Sequence, residues 1–260
     1  MREKSEIELK FIGQNEKISK INRYWAKRSI IEIIDEADNL FLGEKYLEVY
    51  ELLNRLKFGD NVEIHWRLCR ALFKMSCNKN YTHEVHREMI IEAYNLIEAA
   101  IQIDPNNANI HKWMAIITDT RASLDGTANR IKSYETVKGH LLRASELNPE
   151  DVAVLYMLGR WCYQISSISW LQRKISSLLF ETCPISSYEE AHGYFAKAEQ
   201  LQPRFYLPNL YMLGCTNFHL KQMFRAKYYL NIASKLTPRN SDETDCAASA
   251  CKLGNSIFAL

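Results

Sequence analysis

Four stretches of this chain end the same way. Ala100-Ile-Gln-Ile-Asp-Pro105, Ala144-Ser-Glu-Leu-Asn-Pro149, Ala198-Glu-Gln-Leu-Gln-Pro203 and Ala233-Ser-Lys-Leu-Thr-Pro238 each place an Ala five residues before a Pro. Twelve residues before each of these prolines stands another small or β-branched residue: Ala93, Val137, Ala191 and Ala226. Residues seven apart fall on one helix face. Each stretch therefore reads as a helix that packs closely along a small-residue stripe. Its proline ends the helix, because the ring lacks an N–H and clashes with the preceding turn. Four copies make an internal repeat, which the fold must accommodate as stacked units.

Counted back from Pro238, the last unit carries Leu210, Leu213, Gly214, Asn217, Ala226, Leu230, Ala233 and Pro238. Placed in a unit of 34 residues that begins at Leu207, these positions fit the tetratricopeptide pattern of two antiparallel helices. Asn217 departs from it, standing where Tyr is usual. Such pairs cannot bury their apolar faces alone and must stack on neighbours. Leu155, Leu158 and Gly159 occupy the same first-helix positions of another unit, whose second helix carries Ala191, Phe195 and Ala198. The four prolines stand 44, 54 and 35 residues apart, so the array is irregular. The extra residues are expected between paired helices, at 76–87, 121–130 and Ile165–Ser187. A first unit without Pro is read from Glu36 to Phe41, a turn near Gly43, then Tyr46, Val49 and Leu53.

The expected fold is all-α: an irregular tetratricopeptide-like α-solenoid of five antiparallel helix pairs with a C-terminal capping helix. Residues 1–28 form a leading segment with a helix near 16–28, residues 29–240 hold the repeats with their insertions, and 241–260 form the cap. The cap opens on the acidic stretch Ser241 to Asp245, which the helix dipole favours at an N-terminus. Composition agrees. Nine Gly and six Pro in 260 residues leave too few turn formers for a β-sandwich or barrel. Seven cysteines, odd in number and without a CxxC, read as reduced thiols, mostly in the core. The opening residues are too charged for a signal peptide, and no run approaches the roughly 18 apolar residues of a membrane span. A cytoplasmic, soluble chain is expected.

Trp66-Arg-Leu-Cys-Arg-Ala71, His111-Lys-Trp-Met-Ala-Ile116, Gly159-Arg-Trp-Cys-Tyr163, Trp170-Leu-Gln-Arg-Lys174 and Tyr188-Glu-Glu-Ala-His-Gly-Tyr-Phe195 go beyond the generic repeat. Together with the insertions they resemble the regulator of microtubule dynamics family, over roughly residues 30–256. The resemblance implies a non-enzymatic microtubule-associated protein at spindles and spindle poles, acting in chromosome segregation. Its partners would be tubulin or microtubules and other spindle proteins. Some members of the family carry an N-terminal membrane anchor and sit at mitochondria or organelle contacts, and lipid handling is associated with one branch. Residues 1–260 hold no comparable anchor, which favours the cytoskeletal reading; a lipid-binding module at organelle contacts is the alternative.

On such a solenoid the first helix of each pair lines a concave groove. The groove residues are then Arg67 and Lys74, Lys112, Tyr156, Arg160 and Tyr163, and Tyr211, Phe218 and His219: basic at one end and aromatic at the other. Arg forks bind carboxylates bidentately and Tyr adds stiff contact area, so an acidic extended peptide such as a tubulin tail would suit it. A second basic surface lies in 200–241, which has no Asp or Glu but carries Arg204, Lys221, Arg225, Lys227, Lys235 and Arg239. Lys17, Lys20, Arg23, Lys27 and Arg28 form another acid-free stretch. Trp66, Trp113, Trp161 and Trp170 are read as core.

Catalysis is not expected. There is no GxGxxG or Walker loop, no GxSxG elbow and no HExxH. His83 and His86, near Cys77 and Glu88, match no standard zinc spacing. No cofactor, metal or nucleic acid is expected, the net charge being only +2. Ala71, Ile116 and Arg160 stand where a chaperone-tail clamp would need Asn.

Overall fold

Ser29 starts the first helix by accepting a hydrogen bond from the Glu32 N–H, while the Glu32 carboxylate accepts one from the Ser29 N–H. This capping box satisfies two backbone donors that a helix start leaves free. Asn61, Thr82, Asn107, Asp151 and Ser187 cap later helices with the first of these bonds alone, the side-chain oxygen accepting from a first-turn N–H. The computed structural model describes residues 28–168 and 184–258. Its helices are α1 (Ile30–Leu42), α2 (Tyr46–Leu53), α3 (Val62–Ser76), α4 (His83–Ile103), α5 (Ala108–Leu124), α6 (Thr127–Leu147), α7 (Val152–Ser167), α8 (Tyr188–Leu201), α9 (Leu207–His219), α10 (Met223–Lys235) and α11 (Ser241–Phe258). No strand occurs among the described residues.

The helices pair as α1/α2, α3/α4, α5/α6, α7/α8 and α9/α10, and the first helix of each pair after α1 packs on its own partner and on the pair before. This is the expected α-solenoid of five pairs. The proline stops work as read. Asp104, Asn148 and Gln202, each just before its proline, close α4, α6 and α8 outside the helical region, and α10 stops one residue sooner, at Leu236 in extended conformation. A residue before Pro is driven out of the helical region. Every small-residue position of the stripe is buried, from Ala93 and Ala100 to Ala226 and Ala233.

The stripe is matched by two glycines on the facing helices. A Cβ on Gly159 would lie 2.6 Å from the Phe195 ring, and one on Gly214 would lie 2.5 Å from Leu230 Cγ. The α7/α8 and α9/α10 crossings are thus close enough that only a hydrogen fits. Phe195 and Leu230 are fully buried. Asn217 is buried as well; its Nδ2 donates to the Leu213 carbonyl at 2.8 Å instead of packing as a Tyr would. The cap follows the same logic: Ala250 and Ile257 of α11 are buried in one cluster with Leu210, Ala226, Leu230 and Ala233. Asn240, ahead of the acidic stretch, supplies the side-chain cap, its Oδ1 accepting from the Glu243 N–H at 2.9 Å.

Two of the three expected insertions are corrected. Only Cys77–Thr82 separate α3 from α4, and only Asp125–Gly126 separate α5 from α6, with Gly126 at φ 97°. The extra residues lengthen helices: α4 and α6 each reach 21 residues. Ion pairs hold the added turns, Arg130 to Asp119 at 2.8 Å and Arg87 to Asp125 at 2.7 Å. In the third insertion α7 runs to Ser167, and Trp170, Cys183 and most of the remainder lie outside the described residues. The leading helix near 16–28 also lies outside them, apart from Arg28. Trp66, Trp113 and Trp161 are buried as expected. Cys69, Cys162 and Cys215 are buried too, while Cys77 and Cys251 are exposed, because they sit at a helix end and on the outer side of the cap.

A buried histidine with a half-buried partner ties the third repeat to the loop before it. His111, 8% exposed, sets its Nδ1 3.0 Å from His140 Nδ1 and its Nε2 2.9 Å from the Pro105 carbonyl. The carbonyl only accepts, so Nε2 carries the proton, His111 Nδ1 accepts, and His140 Nδ1 donates.

The close crossings and the histidines can each be tested. Gly214→Ala should destabilise by about 1–3 kcal/mol through overpacking, against a helix-propensity gain of about 1 kcal/mol. Gly139→Ala, where a Cβ meets nothing within 4 Å, should be neutral or stabilising. Thermal denaturation of the two variants checks this; equal shifts would contradict the crossing geometry. Partial burial lowers the pKa of His140, His192 and His219, helped by the neighbouring His111, Arg225 and Lys221 respectively. The unfolded chain then binds protons more tightly than the native one, so stability is complete above pH about 6.5 and declines as pH falls below it. Glu199, raised by burial, opposes this only in the carboxylate range. The melting temperature should drop between pH about 6.5 and about 5.5, and His140→Gln should flatten that drop.

Candidate functional site

The inner helices α3, α5 and α7, the end of α8 with Glu199, and the start of α9 line a groove of about 540 Å³. Phe73, Trp113, Ile116, Met157, Phe205 and Tyr206 give it apolar and aromatic walls, and Lys74, Lys112 and Arg160 supply its cations. Tyr156 stands in the wall with its ring edge-on to Tyr206 at 4.9 Å and tilted against Phe195 at 5.9 Å. Burial pushes the Tyr156 hydroxyl well up and raises that of Tyr206, so both stay neutral. Asn209, 3% exposed, lines the same groove; its Nδ2 donates to the Phe195 carbonyl, while its Oδ1 has no partner among the described residues.

Arg67, read as a groove cation, is committed within the repeats. Its guanidinium makes a fork with Asp38, Nε to Oδ1 at 3.0 Å and Nη2 to Oδ2 at 2.7 Å, and adds Glu63 at 2.6 Å. It lies 4.1 Å over the Trp66 ring. Arg70 donates to the same Asp38 at 2.6 Å. Burial raises the Asp38 pKa, and the hydrogen bonds from Arg67 and Arg70 outweigh it, so the carboxyl ends below its ordinary value. Glu63 extends the network by accepting from Asn107 at 3.1 Å. The network therefore joins α1, α3 and the start of the third repeat.

Lys112 is spent in a similar way. It pairs at 2.8 Å with Asp151 Oδ2, while Asp151 Oδ1 caps α7 through the Ala153 and Val154 N–H groups. Lys74 and Arg160 differ. Both are exposed, and neither has an acidic partner within ion-pair distance among the described residues. Arg160 sits 5.9 Å from the Tyr156 ring. The groove therefore presents two available cations.

The aromatic residues divide. Tyr156 belongs to the groove. Tyr211 and Phe218 pack on the cluster that α11 completes, and burial raises the Tyr211 hydroxyl to about 12. Tyr163 joins a separate stack, 5.3 Å from Tyr188 and 5.6 Å from His219, with Tyr188 and His219 parallel at 4.3 Å.

The basic stretch is also divided, by the α9/α10 hairpin. Lys221 and Arg225 lie at the turn between the two helices, with Lys227 just beyond on α10. Arg204, Lys235 and Arg239 lie at the opposite edge, a helix length away, about 20 Å for 13 residues. Arg239 is engaged there: it pairs with the buried Glu243 at 2.7 Å and donates to the Phe205 carbonyl at 2.8 Å. Lys17, Lys20, Arg23 and Lys27 lie outside the described residues. No group of three metal-ligating side chains occurs among the described residues.

Phe73, Met157, Phe205, Tyr206 and Asn209 were not legible as groove residues. Only Trp113 carried a signal, as an aromatic beside Lys112, and it reads equally as core.

Comparison with known proteins agrees with this architecture. The family described as regulator of microtubule dynamics protein 1-3 matches residues 33–257. Regulator of microtubule dynamics protein 1 of Bos taurus is 32% identical over 224 residues, covering 86% of this chain and 71% of that protein. Protein 2 of Bos taurus is 31% identical over 91% of this chain and 58% of its own length, and protein 3 of Xenopus laevis 33% identical over 78% and 45%. Among solved structures, a tetratricopeptide protein of Thermus thermophilus, TTC0263, superposes with a TM-score of 0.57 over 86% of this chain and all of its own, at 13% identity, a likeness of fold. By profile and by identity over most of its length, the chain belongs to the regulator of microtubule dynamics family.

Proposed function

We propose that this chain is a non-enzymatic interaction module that regulates microtubule dynamics at the spindle during chromosome segregation, with the acidic surface or tails of tubulin as its partner. The names of its relatives support the microtubule role, and the helical-repeat fold supports an interaction rather than a catalytic role. The observation that carries the partner chemistry is the pair of available cations, Lys74 and Arg160, in an aromatic groove whose other basic residues are already neutralised. A Glu-rich segment lying along α3, α5 and α7 would place carboxylates on these two residues and its backbone against Tyr156 and Tyr206. The basic edge at the α9/α10 turn, with Lys221 and Arg225, is the second surface available to an acidic lattice, and contacts of that kind weaken with salt.

A specific observation supports a second reading for the same groove. Its volume lies in the range of small-molecule clefts, its walls are mostly apolar, and Asn209 Oδ1 lacks a donor among the described residues. An amphiphile with an anionic head on Arg160 would fit, as in a lipid-binding module at organelle contacts. Native mass spectrometry of the purified chain tests this; a spectrum free of any bound amphiphile speaks against it.

For the first reading, Lys74→Glu combined with Arg160→Glu should weaken microtubule co-sedimentation by about five- to thirtyfold, from roughly 1–2 kcal/mol of lost attraction and added repulsion. Proteolytic removal of the tubulin tails should reduce binding of the unaltered chain by a similar factor. Pelleting unchanged by both treatments would exclude the groove as the tubulin contact.

A further inference from the structure

The turn between α9 and α10 carries an exposed feature that neither groove reading uses. It is tightly made: the Leu220, Lys221 and Gln222 N–H groups donate to the Thr216, Phe218 and Asn217 carbonyls at 3.0, 3.1 and 2.9 Å. Lys221 stands in the left-handed region at φ 60°, a place where Gly is usual. A turn hydrogen-bonded this way sets the first residues of α10 at a corner of the molecule. Phe224 on that corner is 85% exposed. Met223 beside it and Tyr228 one turn on, on the same outward face, are 37% and 51% exposed.

Phe224 is unlike the other exposed rings. Phe205 is shielded by the Arg239 guanidinium 5.1 Å from its centroid. Phe58 stands beside a lysine already paired with Glu92 and two residues from Asp60. No ring or cation of the described residues covers Phe224, and its neighbours in sequence are Lys221 and Arg225. Arg225 is held at the turn by its hydrogen bond to Gln222 Oε1 at 3.1 Å. Neither cation has a carboxylate partner among the described residues, and no acid occurs from 200 to 241.

We infer that the α9/α10 corner is a peripheral docking edge for a bilayer surface containing anionic lipid, with Phe224 entering the interface and Lys221 and Arg225 meeting lipid phosphates. The exposure of Phe224 between two cations argues for a bilayer over a protein. A protruding ring flanked by cations requires from a protein partner an apolar pocket rimmed by acids. The lipid headgroup region accepts an aromatic side chain at any lateral position and provides the negative charge as well. Tyr228 lies where its hydroxyl would stay at headgroup level while its ring follows Phe224. No described helix can cross a membrane, so the contact is superficial, weak and salt-dependent, like other single-anchor attachments.

Flotation of the full chain with phosphatidylcholine vesicles, with and without phosphatidylserine, tests the inference. Binding is expected to the phosphatidylserine vesicles at low salt and to be lost at high salt. Phe224→Ala should lower it about tenfold, the contribution of one buried aromatic ring, and Phe224→Trp should retain it. The double variant Lys221→Glu, Arg225→Glu should remove the preference for phosphatidylserine. All three positions are exposed, so circular dichroism should show unchanged folding. Absence of vesicle binding, or binding equal in the parent and Phe224→Ala, would overturn the inference. So would loss of microtubule pelleting, without loss of flotation, in the Phe224 variant, which would make the corner a protein contact. The groove reading stands or falls separately, on Lys74 and Arg160.

Discussion

Everything in this molecule depends on close approach of helices at small residues. Where α7 crosses α8 and α9 crosses α10, Gly159 admits the Phe195 ring and Gly214 admits Leu230. The alanine stripe lets the next unit close down on the same helix. A helix pair exposes as much apolar surface as it covers until a neighbour stacks on it, so each crossing sets the position of the following pair. The last pair solves the remaining exposure with α11, which adds Ala250 and Ile257 to the final cluster. The placement of the inner helices, and hence of the groove, follows from these contacts.

Stacking also determines the electrostatics of the groove. Adjacent repeats are tied by ion pairs that cross from one unit to the next: Arg67 and Arg70 to Asp38, Lys112 to Asp151, Arg87 to Asp125. Arg67 is largely buried, and a buried guanidinium without partners would be costly. Its fork with Asp38 is therefore a condition of packing α3 on α1. Cations used in this way keep little attraction for a ligand. The inner surface is left with Lys74 and Arg160, set among aromatic walls, a smaller and more specific pattern than a uniformly basic groove.

Much of this was legible in the chain. The repeat phrases located the second helices, Gly159 and Gly214 marked the first, and Gly43 the turn of the unit that lacks a proline. These signals are local: a proline ends a helix wherever it stands, and a stripe seven residues apart lies on one face in any helix. The insertions were misread because spacing between prolines counts residues without saying whether they coil or extend a helix. In the folded chain they extend the helices, and Arg130 with Asp119 and Arg87 with Asp125 pair across the added turns.

The sequence by itself determined the architecture, the number of helix pairs, the small-residue faces and the family. Only the tertiary structure decided which charges remain available. Arg67 meets Asp38 across 29 residues and Lys112 meets Asp151 across 39, and the contiguous basic stretch is separated onto two edges by the α9/α10 hairpin. Period and helix termination are properties of neighbouring residues, whereas pairing and exposure depend on what the folded chain brings alongside.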